Sequence, residues 1–214
     1  MEYCAGENLR NYLDTSKNDV SQQKTLKMFR KLLEGVKAIH QRGILHRDLK
    51  YNLLHNFLLI VFRPANIFLD GEENVKIGDF GLASLGSPEE LKGVTLQMRR
   101  STSKTSDRSL SMKIGTPMYS SPEQESGKRY NNKTDIYSLG LILSEMLANL
   151  STHHERYQLF NMLRKNHELP TELKTKFAKE SELILKMTAL SPEERPSAEE
   201  LIMEIDQLLE ESSK

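Results

Sequence analysis

The spacing of apolar positions changes several times along this chain, and each change marks an element. From Ser21 to Arg42, residues Leu26, Phe29, Leu33, Val36 and His40 recur at intervals of three and four. That spacing lines one face of a helix, and Gly43 follows as a left-handed cap. Leu69-Asp70-Gly71-Glu72-Glu73-Asn74-Val75 reads as a polar turn joining two short strands. From Thr134 to about Asn149 the apolar residues go nearly all round, which predicts a buried central helix with Thr134 as its N-cap. Two Ser-x-x-Glu boxes follow, Ser191 to Glu194 and Ser197 to Glu200. The first predicts a short turn, and the second opens a last helix ending near Glu210 with Leu201, Ile205 and Leu208 on one face. Helices dominate this pattern, so the expected fold is mainly α, of the α+β kind.

Two stretches do not fit a packed pattern. Residues 84–111 are rich in Ser, Thr, Lys and Arg and have no periodicity, a composition that predicts a mobile loop. Leu53 to Phe62 is the longest apolar run, yet it contains His55 and Asn56 and is too short to span a bilayer.

Bulk properties narrow the picture only a little. The 214 residues suffice for one large or two small domains with a core. Thirty basic side chains balance thirty acidic ones, so no general nucleic-acid or anionic-membrane surface is expected in this region. The single Cys4 excludes an intramolecular disulfide and fits a reducing compartment. Glu2 and Glu7 interrupt the opening, which does not read as a signal peptide. The expectation is a soluble, cytoplasmic protein. His153, His154 and His167 are of a type that binds metal, but no Cys or carboxylate constellation joins them.

The chemistry lies between His46 and Gly81. Phosphoryl transfer asks a protein for a positioned hydroxyl, metal ions between phosphates and matched charge rather than for covalent steps. In His46-Arg47-Asp48-Leu49-Lys50, Asp48 can accept the proton of an incoming hydroxyl and Lys50 can offer a cation to the moving phosphoryl group. Asn66, in Pro64-Ala65-Asn66-Ile67-Phe68-Leu69, and Asp79, in Asp79-Phe80-Gly81, offer the hard oxygen ligands that Mg²⁺ takes. Any one of these alone would pass for a surface charge or a loop residue. Their order and company resemble the catalytic core of eukaryotic protein Ser/Thr kinases. The resemblance implies ATP and Mg²⁺ as cofactors, a protein substrate, and the helical large (C-terminal) lobe of that fold with short β-hairpins at the active-site edge.

By the same resemblance, Met1-Glu2-Tyr3-Cys4 falls at the hinge that meets the adenine edge, with Glu7 or Asn8 near the ribose. Glu2, Cys4, Asn8 and Phe68 are then the expected nucleotide-binding residues. No Gly-rich phosphate loop, Val-Ala-Ile-Lys lysine or partner Glu occurs in the 214 residues. The small lobe, through which dimerisation is possible, is accordingly expected to lie outside these 214 residues, and this chain alone is expected to be inactive.

The catalytic loop departs from the family in one respect. The family has four residues between the catalytic Asp and the Asn, whereas residues 49–65, seventeen in all, separate Asp48 from Asn66. Removing the thirteen residues 51–63, an unusually apolar segment, restores the family spacing. With suitable codons at Lys50 and Arg63, the corresponding 39 bases could be an intron read through in frame, and splicing would regenerate Lys at the junction. The rival is a genuine insertion, which would have to loop apolar side chains out beside the active site. Sequencing transcripts across Asp48 to Asn66 separates the two.

From Asp79 to Glu123 the chain resembles an activation segment. Phosphate added there is expected to find Arg47, with Ser109, Ser111 and Thr116 as the candidate regulatory phosphorylation positions. Gly115-Thr116-Pro117-Met118-Tyr119-Ser120-Ser121-Pro122-Glu123 resembles the peptide-docking loop of Ser/Thr kinases. Glu123 is expected to pair with Arg195, a structural role, and Asp135 resembles the aspartate that holds the catalytic-loop backbone.

A narrower resemblance lies in Thr152-His153-His154-Glu155-Arg156 with Leu159, Leu163 and Arg164. It is similar to a helix of the kinases acting on the alpha subunit of translation initiation factor 2, where that helix docks the substrate. Glu155 and Arg156 are the expected docking residues, and translation control is the implied role. A Ser/Thr kinase of another group, or a catalytically dead kinase-like binding module, remains the alternative.

Overall fold

The computed structural model describes residues 7–15, 21–41, 62–70, 74–78, 118–126, 131–150 and 152–212. All of them belong to one of the two units into which the chain divides; the other, 51–60 with 79–116, lies outside the described residues. The helices are α1 (Leu9–Thr15), α2 (Gln22–Gln41), α3 (Pro122–Glu125), α4 (Lys133–Ala148), α5 (His153–Asn166), α6 (Thr171–Lys176), α7 (Ala178–Met187) and α8 (Ala198–Glu211). Strands β1 (Ile67–Leu69) and β2 (Val75–Ile77) form an antiparallel pair in the register Ile67 to Ile77. Predominantly helical structure with a small hairpin matches the expected fold class.

The core follows the apolar spacing. On α2, Leu26, Phe29, Leu33 and Val36 are fully buried, and Leu32 and Ile39 widen the stripe beyond what the sequence spacing marked. That face packs on α8, where Leu201 and Ile205 are buried. Helix α4 buries every residue from Thr134 to Leu147, as an all-round apolar pattern requires. Its Gly140 lets α7 cross closely, because an added Cβ would stand 2.8 Å from Thr188 Cγ2 and 2.9 Å from Met187 Cβ.

The caps differ from expectation at two places. Thr134 is not the N-cap of α4; that position is Asn132, which makes no side-chain cap bond. The Thr134 hydroxyl instead donates to Glu123 Oε1 at 2.8 Å, a long-range partner outcompeting a local one. Ser191 donates its hydroxyl to Glu193 at 2.8 Å and closes no box, although the short turn Pro192–Glu194 forms there as expected. The Ser197 box forms as expected, with Glu200 N–H donating to Ser197 Oγ at 3.2 Å and Ser197 N–H to Glu200 Oε2 at 2.7 Å. Two boxes were not foreseen: Ser121 with Gln124 closes one at the start of α3, and Thr152 with Glu155 closes one at the start of α5.

Candidate active site

The hairpin positions the part of the predicted site that the described residues contain. Pro64–Asn66 make one 3₁₀ turn, closed by Asn66 N–H donating to the Arg63 carbonyl at 2.9 Å, and Pro at its start suits a position whose N–H has no partner to lose. The strand then runs antiparallel to β2, and Asp70 and Asn74 tie the ends of the connection together, Asn74 N–H donating to Asp70 Oδ1 at 2.8 Å. The Gly78 N–H donates to the Asn66 carbonyl at 2.8 Å. Gly78, which precedes Asp79 in sequence, lies under the Phe68 ring, where an added Cβ would come within 2.5 Å of the ring edge. Asn8 makes an isolated antiparallel bridge with Phe68, and the Leu69 N–H donates to the Glu7 carbonyl at 2.9 Å. Of the expected nucleotide-binding residues, then, Asn8 and Phe68 stand side by side at the hairpin. Glu2 and Cys4 lie outside the described residues.

Asn66 offers an amide oxygen of the kind Mg²⁺ takes. That oxygen accepts from Arg63 Nε at 3.3 Å in an exposed contact, which leaves its second lone pair for another partner. Arg63 ends the anomalous 51–63 segment, and its neighbour Phe62 is 1 % exposed, inside the core. Asp48, Lys50, Asp79, Ser109, Ser111 and Thr116 lie outside the described residues, as do Arg47 and the proposed cap Gly43. Among the described residues no group of three or more His, Cys, Asp or Glu could hold a metal ion.

The framework around the site is well formed. Asp135, in the first turn of α4, accepts from or donates to His40 Nε2 at 2.9 Å, joining α4 to the end of α2. Burial pushes its carboxyl up to about 6, with the hydrogen bond to His40 acting in the opposite direction. Glu123 and Arg195 form the expected pair as a two-pronged bridge, Arg195 Nη1 to Oε1 at 2.6 Å and Nη2 to Oε2 at 2.9 Å. Burial alone would raise the Glu123 carboxyl, but the Arg195 hydrogen bonds and charge hold it below the usual range.

A second buried acid was not foreseen. The Glu145 side chain on α4 is 2 % exposed and gathers three elements. Arg10 of α1 reaches it at 2.7 Å, the Tyr119 hydroxyl donates to it at 2.6 Å, and Arg156 of α5 hydrogen-bonds it through Nε. Burial, reinforced by the Glu145 charge, pushes the Tyr119 hydroxyl well above its ordinary range. A charged residue within the apolar run Leu141-Ile142-Leu143-Ser144-Glu145-Met146-Leu147 was the available signal, since a buried carboxylate requires partners. A cavity of about 110 Å³ opens beside this junction between Arg10, Lys176 and Phe177, smaller than the ~300 Å³ or more of typical ligand pockets.

The two expected docking residues therefore part company. Glu155 lies on the exposed side of α5, with its carboxylate closing the helix cap. Arg156 points inward, 8 % exposed and bonded to Glu145, because a guanidinium this close to a buried carboxylate is held there. Exposed on the outer side with Glu155 are His153, His154, Tyr157 and Gln158.

Comparison with known proteins agrees with this framework. The family described as protein kinase domain matches residues 1–205. A probable serine/threonine-protein kinase of Dictyostelium discoideum, ifkB, is 33 % identical over 94 % of this chain and 16 % of its own length. Eukaryotic translation initiation factor 2-alpha kinase 3 of Rattus norvegicus is 35 % identical over 94 % of this chain and 17 % of its own. The eIF-2-alpha kinase GCN2 of Schizosaccharomyces pombe is 34 % identical, again over 94 % of this chain and 12 % of its own. The chain thus spans under a fifth of the length of these relatives. With its motifs, its helical framework and a family match over nearly its whole length, the chain belongs to the protein kinase family and is similar to serine/threonine kinases named for initiation factor 2 alpha.

Proposed function

We propose that this chain is the substrate-binding large lobe of a cytoplasmic Ser/Thr kinase that phosphorylates the alpha subunit of translation initiation factor 2 and so regulates translation. Asp48 accepts the hydroxyl proton, Lys50 neutralises charge on the moving phosphoryl group, and Asn66 and Asp79 hold Mg²⁺ on ATP. Glu2, Cys4, Asn8 and Phe68 contact the nucleotide, and Ser109, Ser111 and Thr116 are the regulatory phosphorylation positions. A dimer, if formed, uses a small lobe not contained in these residues. The 214 residues hold no Gly-rich loop, so by themselves they dock the substrate without transferring phosphate.

The observation that carries the substrate is α5, whose two sides do different work. Its inner side is spent on Glu145 and on the 118–120 turn, while Tyr157, 56 % exposed, leads an outer side open to a partner. Arg156 contributes to docking only by holding α5 in place, and Glu155 is both surface and cap. Binding of the initiation factor's alpha subunit to the chain tests the reading. Tyr157→Asp and His154→Asp are expected to weaken it at least tenfold with unchanged thermal stability. Wild-type chain that fails to bind the alpha subunit, or variants that bind as tightly as wild type, would overturn it.

A further inference from the structure

Three consecutive carbonyls in the turn 118–120 accept hydrogen bonds from side chains of other elements. Arg164 Nη2 donates to the Met118 carbonyl and, at 3.1 Å, to that of Ser120. Between them, the Ser138 hydroxyl of α4 donates to the Tyr119 carbonyl at 2.7 Å. A turn held this way does not set its own path through local bonds; the distant donors set it.

Helix α5 supplies most of that hold. Phe160 meets the Tyr119 ring edge-on with centroids 5.2 Å apart, and Arg156 shares Glu145 with the Tyr119 hydroxyl. Arg156, Phe160 and Arg164 are four residues apart, so they form one stripe of the helix; Phe160 and Arg164 meet the turn directly, and Arg156 reaches it through Glu145. Arg164 does more than fill space there. It spans two carbonyls, and its Nε stands 3.6 Å from Glu125 of α3, just beyond the turn.

We propose that Arg164 is a positioning residue for substrate selection: it fixes the 118–120 turn, part of the stretch resembling a peptide-docking loop, to the inner side of α5. The outer side of α5 and the turn then form one rigid substrate-reading piece, and loading the outer side is felt at the turn. The second half of this statement rests on α5 being the docking helix.

Hydrogen exchange on the 214-residue chain tests both halves. Arg164→Ala is expected to speed amide exchange at Tyr119 to Ser121 about tenfold or more, the loss of bonds to a charged donor, while α7 and α8 are unchanged. Arg164→Lys, which keeps the charge and can still reach one carbonyl, should restore part of the protection. Unchanged exchange at the turn, or faster exchange spread evenly over the chain, would overturn the positioning role. In the second arm the alpha subunit of initiation factor 2 is added at saturation. Protection is expected to extend from residues 153–158 to the turn in wild type, and to stop at α5 in Arg164→Ala. Protection confined to α5 in wild type would refute the coupling and leave the docking intact. No binding at all would refute the docking, and the comparison of the three chains without partner would still decide what Arg164 does.

Discussion

Replacing Glu123 by alanine is expected to destabilise the fold by about 3–5 kcal/mol, the loss seen when one member of a buried ion pair is removed. The Arg195 side chain has no solvent exposure and Glu123 only 6 %. Three of its contacts would survive, to the carbonyls of Ala189 at 2.8 Å, Lys133 at 3.0 Å and Leu190 at 3.4 Å. The guanidinium would also keep its place 4.8 Å above the Tyr137 ring. What disappears is the anion, together with two short charge-assisted bonds and the acceptor of the Thr134 hydroxyl. Glu123→Gln keeps the shape and one acceptor, so its cost should be smaller, roughly 1.5–3 kcal/mol. The folded carboxyl is held low, so the pair contributes above the unfolded value of 4.5 and its contribution is lost as the pH falls. Measurement near neutral pH therefore reads the full effect. Urea unfolding followed by circular dichroism, with similar m-values across variants, should rank wild type above Gln and Gln above Ala. A thermal midpoint roughly 6–20 °C lower is expected for the Ala variant. An Ala variant within about 1 kcal/mol of wild type would refute the reasoning. Recovery in a Glu123→Leu, Arg195→Met double variant would identify the stranded charge as the origin of the loss.

Two more outcomes follow from the buried helix. Asp135 is protonated more readily in the fold, at about 6, than its ordinary value of 3.8. Its contribution is greatest below 3.8 and falls as the pH rises through 6, so Asp135→Asn should gain on wild type by up to ~3 kcal/mol between those limits, measured as the pH dependence of urea unfolding; parallel profiles would refute it. Gly140→Ala should destabilise by a net ~1–2 kcal/mol, because overpacking against Met187 and Thr188 exceeds the helix-propensity gain; a more stable variant in the same titration would disprove the close crossing.

Much of the framework was legible before any coordinates. Apolar spacing reports which face of an element must leave water, and that is a local property of the chain. It located α2, α4 and α8 to within a residue or two, because each depends on burying a stripe or a whole helix, while the polar turn placed the hairpin. The motif order carried the family, since the residue types for phosphoryl transfer occur in one sequence. Asp48, Lys50 and Asp79 still rest on that order, as they lie outside the described residues. The Glu123 to Arg195 pair was legible only through the resemblance.

The partners of polar side chains were a different matter. Thr134 stands where a cap is expected, yet its hydroxyl meets Glu123, and Ser191 bonds the Glu193 carboxylate rather than a backbone N–H of the turn that follows. Arg156 reads as part of a polar docking face, but folding places Glu145 beside it, eleven residues back in sequence on another helix. The Met118, Tyr119 and Ser120 carbonyls are taken by Ser138 and Arg164, neither near them in the chain. A hydrogen bond goes to whichever donor or acceptor the packing brings within reach, and burial makes an unmet one costly. Sequence could therefore settle which residues go inside, while the choice of partner waited for the helices to meet.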